Sequence, residues 1–331
     1  MMVRLTQIDG ALPNIALMKL SHWFKSQGAL VRFTRVLEND PGDLGKYDLV
    51  LGSSIFKFSE ARRARFAAAW PDSICGGTGT IHNFTVEQLI GDEYEHYDYS
   101  GYPDFSESIG FTSRGCRLKC KFCVVPAKEG KPRSNNTIAQ IWRGEGYPKK
   151  LHLLDNDFFG YPDWKERITE IRDGGFRVCL SQGINVRLIN DEAAAALATI
   201  EYRNTKFNAR KLYTAWDNLG DEKIFFKGVD TLERAGIPPK HLMAYMLIGY
   251  DPVETWDRIW HRLVMMIERG IQPYPMVFDR TNKGLVVFQR WMLTGLYRVV
   301  PYIEYNEARP RDPKSDLAWM PYADRLAKVL S

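Results

Sequence analysis

SIGFTSRGCRLKCKFCVVP, residues 108–126, carries three of the chain's five cysteines within eight residues. Cys116, Cys120 and Cys123 are spaced C-x3-C-x2-C, and an aromatic, Phe122, stands just before the third. Three thiolates on one short loop can hold three corners of a cubane [4Fe–4S] cluster. The fourth iron is then open to a ligand from outside the protein. Electron-transfer clusters usually have four cysteine ligands. A set one short suits chemistry better than electron storage.

Other uses of these thiols fit less well. A zinc site wants a fourth Cys or His at a suitable spacing. The nearest histidines are His96 and His152, and neither Cys75 nor Cys179 completes a zinc-knuckle pattern. Five is an odd count for a disulfide framework, and 331 residues can build a core without staples. Cys75 and Cys179 are expected to be ordinary buried thiols, Cys179 within the apolar run FRVCL.

Composition bounds the rest. Hydrophobic residues make up 45% of the chain, ample for a core. No apolar stretch reaches the roughly 20 residues that span a bilayer. MMVRLTQIDGALPN has no signal-peptide core. Thiols that must hold iron favour a reducing compartment, so a cytoplasmic location is expected. The net charge of +5 is uneven: residues 1–107 carry 10 Lys/Arg against 14 Asp/Glu, residues 108–331 carry 35 against 26. Around the cysteines, Arg114, Arg117, Lys119, Lys121, Lys128, Lys131 and Arg133 face only Glu129. Such a patch steers anions, so an anionic substrate is one reading, and offsetting a negative cluster is another. Nucleic acid is the less favoured partner, because no recognised binding motif accompanies the patch.

Strand and helix patterns alternate throughout. MVRLTQID, ALVRFTRV, YDLVLGSSIF and SICGGTGT read as strands. The helix PNIALMKLSHWFKSQG, from Pro13 to Gly28, and SEARRARFAAAW, capped by Ser59, lie between them. Alternation of this kind predicts a parallel sheet. Residues 1–90 are thus a small α/β domain, and 91–107, acidic and tyrosine-rich, a linker. From residue 108 six βα-type repeats follow, to about residue 280. Their strands are SIGFTSRG, KKLHLLDNDF, FRVCLSQGINV, RKLYTAWDN, HLMAYMLIGY and IQPYPMVFD. Residues 281–331 form an extension: an amphipathic helix packed on the repeats, a proline-broken polar loop and a closing helix.

In cysteine spacing and in Phe122 the loop resembles the radical S-adenosylmethionine (radical SAM) enzymes. The resemblance implies a partial, six-stranded (β/α)6 TIM-like barrel over residues 108–280. It implies that the open iron binds the amino nitrogen and carboxylate of S-adenosylmethionine. One electron, from a flavodoxin- or ferredoxin-like donor, then cleaves the sulfur–C5′ bond, and the 5′-deoxyadenosyl radical abstracts hydrogen from a substrate. Site residues are expected at the strand ends, as in related barrels. Many members have GGE after the second strand, meeting the amino group. This chain has Asp155, Asn156 and Asp157 there, which can accept from the ammonium or form a turn. At the third strand, Arg187 is a candidate for the carboxylate and Gln182 or Asn185 for the ribose, with a salt bridge as the competing role of Arg187. Asp217 ends the fourth strand as a contact or a turn residue. Gly249 and Tyr250 match the family's adenine-binding strand.

Residues 1–90 loosely resemble the cobalamin-binding Rossmann-like (flavodoxin-like) domain that precedes many such barrels. Gly76, Gly77 and Thr78 are where a flat macrocycle could lie against backbone. The D-x-H-x-x-G motif is absent; the chain reads Asp9-Gly10-Ala11-Leu12, and His22 falls inside the following helix. Cobalamin is therefore not expected. A methylthiotransferase-like RNA modifier and a cobalamin-dependent methyltransferase are alternative enzymes, though the former lacks its second cysteine set here. A non-catalytic iron–sulfur protein is the alternative outside catalysis.

Overall fold

A computed structural model describes residues 1–40, 43, 45–80, 84–91, 94–305 and 313–330. The chain is mixed α/β with parallel sheets, in two compact units, Met1–Ser106 and Glu107–Ser331.

The first unit holds β1 (Met2–Gln7), α1 (Ile15–Ser26), β2 (Leu30–Thr34), β3 (Leu49–Ser53), α2 (Glu60–Ala69), β4 (Ile74–Gly76) and a short α3 (Glu87–Ile90). The sheet order is β2-β1-β3-β4, all parallel. The first helix starts at Ile15 because Asn14 caps it, accepting from the Leu17 amide at 3.1 Å, and Gly28 ends it at φ +78°. Ser59 precedes the second helix without a side-chain capping bond. Val3, Leu5, Leu17, Leu20, Phe24 and Leu51 form this unit's core. The stretch expected as a linker is fastened down where it is described. Tyr102 donates to Gln7 Oε1 at 2.7 Å, Lys19 pairs with Glu95 at 2.5 Å, and Ser21 donates to Asp98 at 2.6 Å. Residues 92 and 93 of that stretch, and 306–312 of the expected polar loop, lie outside the described residues.

The second unit begins with β5 (Ser108–Gly110) and β6 (Ser113–Arg114), then α4 (Val125–Glu129), β7 (Arg133–Ser134) and α5 (Ile138–Ile141). It continues with β8 (Lys150–Leu153), α6 (Trp164–Asp173), β9 (Arg177–Leu180), α7 (Asp191–Ala198) and β10 (Glu201–Tyr202). Then come β11 (Leu212–Ala215), α8 (Glu222–Arg234), β12 (Leu242–Ile248), α9 (Trp256–Glu268), β13 (Gln272–Val277), α10 (Lys283–Leu293) and α11 (Pro313–Leu330). Five of the six expected strands stand in place, and the first, SIGFTSRG, is broken after Gly110 so that only β5 joins the main parallel sheets, ordered β10-β9-β8-β5 and β11-β12-β13. Between the sheets, the Ile184 amide donates to the Tyr213 carbonyl at 2.7 Å. β6 and β7 form a separate antiparallel pair around the thiol loop, an element the sequence pattern does not announce. Among the described residues no helix is long and apolar enough to cross a membrane.

Strand alternation splits the side chains into two layers. Leu151, Leu153, Val178, Leu180, Leu212, Ala244, Met246 and Ile248 join the helices in the main core. The opposite face carries His152, Cys179, Tyr213, Met243 and Tyr245, with Phe207 packed among them. Phe207 sits at φ +56°, an outlier for a bulky residue. Its ring, edge-on to His152 at 5.0 Å, fills the inner layer and holds that backbone in place. The C-terminal helices pack through Trp260, Phe288, Trp291, Tyr302 and Trp319, whose rings meet at 4.8–6.2 Å.

Candidate functional site

A cavity of about 630 Å³ opens at the C-terminal ends of the strands of the second unit. Cys116, Cys120, Cys123 and Phe122 line it, together with Asn156 beyond β8, Gln182, Asn185 and Arg187 beyond β9, and Asp217 beyond β11. Residues separated by up to 162 positions in sequence, from Cys116 to Phe278, thus share one space. The thiol loop alternates: Cys116, Leu118, Cys120 and Phe122 line the cavity, while Arg117, Lys119 and Lys121 do not.

Carboxylates anchor that loop. Asp157, buried, accepts the Arg117 side chain at 2.8 and 2.9 Å and the Arg117 amide at 3.0 Å. Glu129 accepts Arg114 at 3.0 Å, the Gly115 amide at 2.9 Å and the Asn156 amide group at 3.2 Å. Burial works to raise the Glu129 pKa, but Arg114 and the Gly115 N–H outweigh it and hold the carboxyl below its ordinary value. Asp155 accepts from Thr112 Oγ1 at 2.8 Å and from both the amide and the hydroxyl of Ser113. Burial pushes its pKa up to about 6. Asp155 and Asp157, expected as cofactor contacts, are thus turned to the protein and are not cavity residues; only Asn156 of that trio lines the cavity.

The remaining candidates also divide. Arg187 pairs with Asp221 at 2.5 Å and shares the cavity with the Cys120 thiol. Both neighbours outweigh burial and raise its pKa. Burial raises the Asp217 carboxyl, while its bond from the Leu247 amide at 2.9 Å works the other way. Gly249 and Tyr250 line a second space of about 660 Å³ with Glu254, Trp256 and Asn282. Tyr250 still reaches the first cavity's rim, edge-on to Phe122 at 5.4 Å and to Phe278 at 4.9 Å. Buried Arg262 ties strand ends together, donating to the carbonyls of Trp216, Asp217 and Leu247 at 3.0–3.2 Å and pairing with Glu254.

Sequence reasoning missed one whole wall. Tyr245 and Leu247 on β12, Tyr274 and Met276 on β13, and Phe278 just beyond it line the cavity at every second position. The period-2 pattern was the available signal. Glu129, the single acid among seven cations, was legible as a counter-charge but not as the anchor of Arg114, Gly115 and Asn156.

The donor set fits an iron–sulfur cluster with one open iron. Three thiols share the cavity, and among the described residues no histidine or further cysteine lines it. The Leu118 amide donates to Cys116 Sγ at 3.4 Å. Burial raises the Cys116 and Cys123 thiols, with neighbouring thiols adding to it, so metal binding there releases protons. Among the described residues no three His, Cys, Asp or Glu side chains converge tightly enough for a single metal ion. A cubane, which puts each thiolate on a different iron, holds its ligands farther apart than one ion does.

No family model matches the chain, and no curated protein matches it. Among solved structures it is similar to a spore photoproduct lyase mutant with bound AdoMet and dinucleoside spore photoproduct. The identity is 12% over 87% of this chain and 82% of that one, with a TM-score of 0.33. A likeness this loose fixes neither fold nor activity for this chain.

Proposed function

We propose that the chain is a radical SAM enzyme. One observation carries this: thiols in C-x3-C-x2-C spacing share a single cavity with the polar side chains beyond β8, β9 and β11. Cys116, Cys120 and Cys123 would hold a [4Fe–4S] cluster. When bound, that cluster supplies the electron that cleaves S-adenosylmethionine and yields a hydrogen-abstracting 5′-deoxyadenosyl radical. The two parallel sheets of the second unit are read as the halves of a partial (β/α)6 barrel, and the first unit as a Rossmann-like domain. A cytoplasmic location is proposed with them.

The chain's own residues bind, orient and exclude water. Arg187 offers a fork of donors to the methionine carboxylate, and Asp221 fixes its direction. Asn156 gives its carbonyl to the ammonium, since its amide nitrogen is taken by Glu129. Gln182 and Asn185 are placed for ribose hydroxyls. Asp157 and Glu129 hold the thiol loop by its arginines. Phe122, Tyr250 and Phe278 cover the rim with aromatic rings that shed water. The test is anaerobic reconstitution with iron and sulfide, then S-adenosylmethionine and dithionite. 5′-Deoxyadenosine should form with the wild type and not with Cys120→Ala. No 5′-deoxyadenosine from the cluster-loaded wild type refutes the proposal.

A further inference from the structure

The seven cations of the thiol loop differ in what they touch. Arg114 and Arg117 are engaged by Glu129 and Asp157. Arg133 gives one bond to the Glu129 carbonyl at 2.6 Å and is otherwise exposed. Lys119, Lys121 and Lys131 are exposed, and none makes an ion pair among the described residues. None of the seven lines the cavity. The free positive charge therefore does not meet the reacting molecule. It lies on the outer side of the same loop whose inner side carries the three thiols.

We propose that Lys119, Lys121, Lys131 and Arg133 form the docking surface for an acidic one-electron carrier protein. This rests on reading the thiols as cluster ligands. With S-adenosylmethionine and substrate filling the cavity, an electron has to arrive from the outer side of the loop, and the exposed lysines stand there. One electron passes from the carrier's reduced flavin or iron–sulfur centre, which is oxidised, to the cluster, which is reduced. No proton or group moves.

The chemistry of the patch fits a transient protein partner better than a polynucleotide. Lysine is a strongly hydrated point charge on a flexible stem, suited to the small, short-lived interfaces of redox encounters. A nucleic-acid track draws on about six to ten phosphate contacts; the loop exposes six cations, and Arg117 among them is already held by Asp157, so at most five are left. The loop's aromatic, Phe122, faces the cavity and Tyr250, so the patch has no stacking platform.

The experiment measures binding of an oxidised flavodoxin to the full chain at about 50 and about 300 mM NaCl, a range over which exposed charges become screened. Wild type is compared with Lys121→Glu/Lys131→Glu. The Kd should weaken by about tenfold between the two salts, and by about tenfold in the variant at low salt. S-adenosylmethionine binding, iron content and dithionite-driven 5′-deoxyadenosine formation should stay unchanged. Should the double variant misfold, Lys121→Gln, checked by circular dichroism, is expected to weaken binding by about threefold. An unchanged flavodoxin Kd overturns the proposal. So does loss of affinity for a short single-stranded DNA with the flavodoxin Kd unchanged, which would make the patch a nucleic-acid surface. The two readings fail separately: inactivity with dithionite sinks the enzyme assignment, while an unchanged flavodoxin Kd sinks only the docking surface.

Discussion

Asp155 is fully buried, and the charge it carries at neutral pH is held by three bonds to Oδ1 and none to Oδ2. Its folded pKa of about 6 lies above the ordinary 3.8, so the folded state binds its proton more tightly than the unfolded chain does. Between about pH 4 and 6 stability is therefore lost as pH rises, by at most about 1.4 kcal/mol per pH unit. His152 acts in the opposite direction. Burial lowers its pKa from 6.5 to about 4, so its contribution grows as pH rises through the same window. The two slopes oppose each other in the wild type, and a variant has to separate them. Asp155→Asn should be at least as stable as the wild type at pH 7, with its advantage shrinking to nothing below pH 4. Urea denaturation at several pH values checks this, and a difference that does not change with pH refutes it. Arg187 and Asn156 make a second residue-scale case. Asn156→Ala and Arg187→Ala should each weaken S-adenosylmethionine binding by about tenfold, one charge-assisted bond's worth, while iron content holds. Calorimetry with the loaded protein decides it; unchanged affinity in both variants returns these residues to a structural role.

At the scale of elements, α8 shows why a helix can prefer a poor helix former. Gly228 lies in its interior and is buried. Alanine there would favour the helix by about 1 kcal/mol. An added Cβ, however, would stand closer than 3.0 Å to the Val186 carbonyl. That carbonyl belongs to the turn Val186–Leu188, which carries Arg187 to the cavity. Overpacking against backbone costs about 1–3 kcal/mol, so the clash wins. Gly228→Ala should lower Tm by a few degrees and weaken S-adenosylmethionine binding, with iron content unchanged; a higher Tm would show that the turn yields freely. The same turn marks the boundary of what sequence can tell. Arg187 was found because a polar residue followed an apolar strand. Its partner Asp221, 34 positions on, was invisible, since no local pattern joins them. Asp155 and Asp157 were located at the correct strand end but not in orientation. Strand periodicity says where a chain stops being buried, and only tertiary contacts with Ser113 and Arg117 say which way a carboxylate turns.

For the molecule as a whole, the βα order of both units was legible because each buried strand and amphipathic helix carries its own period. The role of the glycine-rich turn of the first unit was not. Sequence allows Gly76, Gly77 and Gly79 to admit a ligand close to backbone. In the fold that close approach is taken by the chain itself. A Cβ on Gly77 or Gly79 would meet the carbonyls of Ser54 or Phe56, and one on Gly76 the carbonyl of Phe84. The Gly79 amide donates to the Ser54 carbonyl at 2.9 Å, closing the turn onto the loop after β3. The nearby cavity, walled by Leu17, Leu51 and Leu89, measures about 40 Å³. On this measure one water needs about 10–15 Å³, so the cavity has room for a few waters and none for a corrin ring. The expected outcome is therefore purification without stoichiometric cobalamin, even from cells fed the cofactor. An absorbance spectrum of the purified protein reads it directly. One equivalent of bound corrinoid would mean that the Ser54 and Gly77 loops part to admit a macrocycle, and would move the assignment to a cobalamin-dependent methyltransferase.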